Sequence, residues 1–107
     1  MKTTAIDKTK LAELCALIEQ RLAALPRVDW RDDAGRRAHD AELDRIFADL
    51  ATGHGAKTGH DWQGGRIALA GIRSTSTGGV HGALTNWMWA ARLRIQRAEE
   101  LERAVAP

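Results

Sequence analysis

The architecture of this chain turns on 66-RIALAGIR-73. Ile67, Ala68, Leu69, Ala70 and Ile72 form a short apolar run between two arginines. A run of this length suits a buried strand or a buried helix, because periodicity alone does not separate the two. The stretch before it, 53-GHGAKTGHDWQGG-65, has no period and reads as a loop. The stretch after it, 74-STSTGG-79, reads as a second connection. A lone strand would have nothing evident to pair with. The context therefore predicts a short helix over about 64–73.

The segments outside this run carry helical periodicity. In 7-DKTKLAELCALIEQRLAALP-26, Leu11, Leu14, Cys15, Ile18, Leu22 and Leu25 recur at the spacing of one helix face. Asp7 or Thr9 can cap the start and Pro26 ends it, so a helix is expected over about 8–25. In 32-DDAGRRAHDAELDRIFADLATG-53, Leu43, Ile46, Phe47 and Leu50 form one stripe. This second helix is expected to start between 33 and 37, with Asp32 and Asp33 at its positive end and Gly53 as its C-cap. His39 shares the stripe's side as a half-buried structural histidine, and Trp30 is expected to dock on the helical core. A long C-terminal helix over about 77–103, capped by Ser76 or Thr77, completes the chain. The sum is an all-α fold: one domain over 1–107, a compact bundle of three long helices and one short helix joined by glycine-rich loops.

Composition bounds the function classes. The chain has 107 residues, 44% hydrophobic and 28% charged, which is the balance of a globular domain rather than a disordered one. The longest uncharged stretch, Ser74 to Ala91, is interrupted by polar and glycine residues and is no membrane span. The N-terminal stretch lacks the apolar core of a signal peptide. Cys15 is the only cysteine, so no intramolecular disulfide can form and a reducing cytoplasm is expected. Cys15 sits inside the first apolar stripe, as a small buried hydrophobe would. Net charge is +2 but unevenly spread: residues 53–98 carry six Lys/Arg against one acid, Asp61. That bias favours an anionic partner, either nucleic acid or an acidic protein face.

No catalytic constellation is evident in the residues. The glycine-rich 52-TGHGAKTGHD-61 lacks the spacing of a phosphate loop and follows a helix rather than a strand. His54, His60 and His81, with Asp61, lack the spacing of one helix face, so no metal is expected. Ser74 and Ser76 have His81 nearby but no orienting carboxylate. No enzyme activity and no cofactor are expected. Arg73, Ser74, Thr75, Ser76 and Thr77, running into a helix, could converge on an anion; ordinary turn and capping chemistry would use the same residues.

Two resemblances bear on function. The run 70-AGIRSTSTGGVHGAL-84 resembles the turn and recognition helix of phage and bacterial repressors, which implies a helix-turn-helix nucleic-acid regulator. Its exposed positions would offer His81, Thr85 and Asn86, without the long donors that base reading usually needs. The GIRSTSTGG…NW segment over 71–87, in a chain this short, also resembles small accessory proteins of transposable-type phages, anti-CRISPR inhibitors among them. That resemblance implies a host-cytoplasmic inhibitor and carries over no functional residue.

The last helix poses one question more. With Val80 set at zero and 100° per residue, Val80, Leu84, Trp87 and Ala91 fall within about 40° of one line, with Ile95 at its edge. Trp89 lies near 180° and Leu93 near 220° on the same scale, among Thr85, Asn86, Arg92, Gln96 and Arg97. Either the 64–73 segment or the Trp62 loop covers this apolar island, or it meets a partner. An indole ringed by arginine and glutamine has the composition of a binding hot spot. The sequence thus predicts a non-enzymatic protein that acts by protein–protein interaction, on a partner with an acidic face, with a nucleic-acid regulator as the alternative and Trp89, Leu93, Arg92, Arg97, Arg66 and Arg73 as the candidate contact residues.

Overall fold

The computed structural model describes residues 7–29 and 31–105. The order of elements is α1 (Lys8–Ala23), α2 (Asp33–His54), β1 (Lys57–Asp61), β2 (Gly64–Leu69), β3 (Ile72–Ser76) and α3 (Gly79–Val105). The expected all-α bundle is therefore corrected to a mixed α/β fold, a three-stranded antiparallel meander backed by three helices. The short helix expected over 64–73 is instead β2, a tight turn and the start of β3. The partner that a lone strand lacked is supplied twice, by β3 and by β1, within the segment expected to be a loop.

The turn between β2 and β3 accounts for the difference. Leu69 pairs with Ile72 across a two-residue loop, Ala70–Gly71, and both loop residues have positive φ, 51° and 81°. This is the primed geometry whose twist matches that of the flanking strands. Asn-Gly or Asp-Gly is the usual signal for such a turn, and Ala70 stands where the asparagine would. The β1–β2 turn is also short: Asp61 pairs with Gly64, and the Asp61 carboxylate accepts the Gln63 N–H at 2.9 Å. That side-chain bond replaces part of a backbone turn.

The helices form close to expectation. Asp7 caps α1 by accepting the Lys10 N–H at 3.0 Å, and the helix ends at Ala23, ahead of Pro26. Asp32 caps α2. That helix runs past Gly53 and stops at Gly55, the residue with left-handed φ of 72°. Ser76, expected to cap the last helix, closes β3 and accepts the Gly78 N–H at 2.9 Å ahead of α3. The position of Trp30 lies outside the described residues.

One core holds these elements together. The inner face of the sheet contributes Ile67, Leu69 and Ile72, and α3 lays Val80, Ala83, Leu84, Trp87, Met88 and Ala91 against it. From α1 come Leu11, Leu14, Cys15 and Ile18, and from α2 Leu43, Ile46, Phe47 and Leu50. Leu17, Leu22 and Leu25 are only half-buried, at the margin. Antiparallel packing of α1 on α3 is tied at one end by Lys8 to Glu102 (2.6 Å) and nearer the other by Glu19 to Arg92. Arg21 holds α1 to α2, its guanidinium reaching Asp49 at 2.8 Å and Glu42 at 3.3 Å. The hydrogen bond that Arg21 donates to Asp49 is the main reason the arginine's pKa rises further. His39 is half-buried on α2.

Candidate binding surfaces

Strand alternation sorts the sheet residues onto two faces. The register Lys57↔Ala68↔Arg73 forms one row and Gly59↔Arg66↔Thr75 the next. These residues share the face opposite the core. On the core side lie Ile67, Leu69, Ile72, Ser74 and Ser76. The outer face is thus a basic surface: Lys57, Arg66 and Arg73 are all exposed. Asp61, the acid of this face, contacts Arg66 at 3.3 Å. A Cβ at Gly59 would come within 3.2 Å of the Arg66 guanidinium. The missing side chain is what lets Arg66 lie across β1 toward Asp61. Lys57, Arg66, Ala68, Arg73 and Thr75 line a shallow depression of about 380 Å³.

The expected anion cradle is divided by this alternation. Arg73 and Thr75 are exposed on the outer face, whereas Ser74 and Ser76 are half-buried on the inner one. Thr77 follows the strand and is exposed. Ser76 Oγ is committed to the turn into α3, through Gly78.

The second surface is on α3. Trp87 is fully buried and donates its Nε1–H to the Leu69 carbonyl at 3.1 Å. Trp89, two residues on, is 68% exposed, and Leu93 is 36% exposed. Asn86 donates its side-chain amide to the Thr75 carbonyl at 2.9 Å, which sets this side of α3 against β3. The Trp62 loop does not cover the Trp89 island; Trp62 is 90% exposed at the tip of the β1–β2 hairpin. Arg92 pairs with Glu19, while Arg97 is exposed one turn beyond Leu93. The six candidate contact residues therefore divide: Arg66 and Arg73 on the sheet, and Trp89, Arg92, Leu93 and Arg97 on α3.

The remaining chemistry-bearing residues have structural surroundings. His60 Nε2 lies 2.9 Å from Asp44, joining β1 to α2. His54 is at the end of α2, beside the start of α1. His81, in the first turn of α3, lines a groove with His60, Asp40 and Asp44. Among the described residues no group of three or more His, Cys, Asp or Glu side chains could hold a metal ion. Cys15 is buried with its thiol 3.9 Å from the Met88 carbonyl, and burial pushes its pKa up, the charges of Arg92 and Glu19 acting in smaller, opposite senses. Among the described residues no helix is long and apolar enough to cross a membrane.

The helix-turn-helix expectation fails here on geometry. The segment meant as its first helix is a β-hairpin, and the proposed turn is β3. His81, Thr85 and Asn86 begin a helix packed on a sheet, and Asn86 is spent on Thr75. The basic outer face was hidden in the sequence because it exists only once the three strands are in register. No protein-family model matches the chain, and no curated protein or solved structure matches it.

Proposed function

We propose that this is a non-enzymatic binding protein that engages another protein through Trp89 and Leu93. One observation carries the proposal: the same helix buries Trp87 completely and leaves Trp89 68% exposed. The buried indole is hydrogen-bonded and packed, so it fixes the helix and the orientation of its neighbour. An exposed indole held on a rigid element loses little conformational entropy on binding and presents a large apolar area. Arg97, with Arg92 already held by Glu19, forms a polar rim suited to an acidic partner surface. The resemblance of the 71–87 segment to phage accessory proteins narrows the proposal to an inhibitor of a host system such as CRISPR-Cas, acting in the host cytoplasm.

The experiment is a phage-plaquing assay in a host with an active CRISPR-Cas system. Expression of the wild type is expected to restore plaquing, and Trp89→Ala to abolish the effect while the purified variant keeps its melting temperature. A Trp89→Ala protein that protects phage as well as wild type would remove the α3 surface from the mechanism. A wild type without effect would remove the proposed host target.

A further inference from the structure

A second surface stands apart from α3, and its chemistry points to a different partner. We propose that the outer face of the sheet binds duplex DNA, with Lys57, Arg66 and Arg73 on the phosphates that border one groove. Three cations and one acid occupy this small face. Lys57 and Arg73 lie in one row, two strand spacings or about 10 Å apart, and Arg66 sits about 7 Å along the middle strand from that row. Such a triangle matches a polyanion with closely spaced charges better than a single small anion. All the described helices that contact the sheet share core with its inner face, so the outer face is open. With the backbone of its outer strands the sheet is about 14 Å wide, so it covers the mouth of a roughly 12 Å major groove and only its side chains reach in. Ala68, between Lys57 and Arg73 in the first row, keeps the middle of that row low, which allows close approach.

A single strand is the poorer fit. Proteins that hold single strands supply aromatic platforms for stacking. Among the described residues the outer face carries no aromatic ring; Trp62 lies beyond it at the hairpin tip. From that tip Trp62 can meet the groove wall or sugar edge next to the Arg66 end of the face.

The test is fluorescence anisotropy of the full chain with a labelled 20-base-pair duplex, repeated over a salt series. Binding is expected at low salt, with log Kd changing by about 2–3 per log unit of salt, as roughly three phosphate contacts require. The Lys57→Gln, Arg66→Gln, Arg73→Gln triple variant is expected to fold, since each side chain is exposed, and to lose at least about tenfold in affinity. Arg73→Gln alone should give part of that loss. Asp61→Asn keeps the turn acceptor, removes the acid and should tighten binding. Trp89→Ala should leave DNA affinity unchanged, which separates this surface from the one on α3. No binding at low salt, unchanged affinity in both the triple and single variants, or equal competition by a single strand of the same length would each overturn the proposal.

Discussion

The indole of Trp87 and the carbonyl of Leu69 are joined by a 3.1 Å hydrogen bond inside the core, tying the third turn of α3 to the last residue of β2. Trp87→Ala is expected to cost roughly 3–5 kcal/mol, the usual penalty for deleting a buried indole. Trp87→Phe keeps most of the ring but leaves the Leu69 carbonyl without that donor, a cost of about 1–3 kcal/mol. Urea midpoints measure both. Trp89→Ala should move the melting temperature by a few degrees at most, and in single-tryptophan variants iodide should quench Trp89 but not Trp87.

Ala70 sits at φ 51° in the β2–β3 turn, where a side chain other than Asn or Gly is strained. Ala70→Asn should therefore stabilise the protein, by roughly 0.5–1 kcal/mol. A drop in thermal midpoint would contradict the primed turn and with it the pairing of Leu69 with Ile72.

Much of the helical structure was legible because Leu11, Leu14, Cys15 and Ile18, or Leu43, Ile46, Phe47 and Leu50, can lie on one side only of a 3.6-residue period. The hairpin was not. Ala68 faces outward yet is apolar, so 67-IALA-70 reads as continuous where the strand in fact alternates. In β1, KTGHD has no large apolar residue to mark a strand. The turn lacks its asparagine. Helix angles alone set Trp89 opposite Trp87, but they left open whether another segment covers it, and its exposure is visible only in the folded chain. The outer basic face depends on cross-strand register, which no local pattern in this chain encodes.

The first helix offers a graded test of the core. Ile18 is fully buried, while Leu17 and Leu22 are half-buried at the edge. Ile18→Ala should cost roughly 2–5 kcal/mol, and Leu17→Ala and Leu22→Ala clearly less. Equal losses in chemical denaturation would mean that α1 presents a different face. Leu22 was expected in the full stripe; it lies in the last turn, where the core thins.

Gly82 and Ser76 are matched in size. A Cβ on Gly82 would fall 2.2 Å from Ser76 Oγ and 2.9 Å from its Cβ. Gly82→Ala should destabilise by about 1–3 kcal/mol through overpacking, and Ser76→Gly in the same chain should recover most of that loss. A double-mutant cycle with no coupling would refute the contact.

Stability should fall in alkali through Cys15. Burial raises its pKa in the folded state above the ordinary thiol value. A raised folded pKa means that the unfolded chain gives up its proton first. The contribution is complete below the ordinary thiol pKa and is lost as pH rises from there through the folded value. The urea midpoint of wild type should decline relative to Cys15→Ala as pH rises above the ordinary thiol value of about 8.5. An unchanging difference would show a thiol already open to solvent, as would rapid reaction with a disulfide reagent at neutral pH.

The contacts of α1 with α3 join residues far apart in the chain: Cys15 and Met88 are separated by 73 positions, Lys8 and Glu102 by 94. Synthesis runs from the N-terminus, so α1 leaves the ribosome long before the helix that covers it. At about 5–20 residues per second, its apolar stripe waits roughly 4–15 s for α3. The meander and α3 are neighbours in sequence and need no such delay. A nascent chain stalled before residue 79 has the strands but not the helix that closes the core. Until then, Leu11, Leu14 and Ile18 are the residues a chaperone would find.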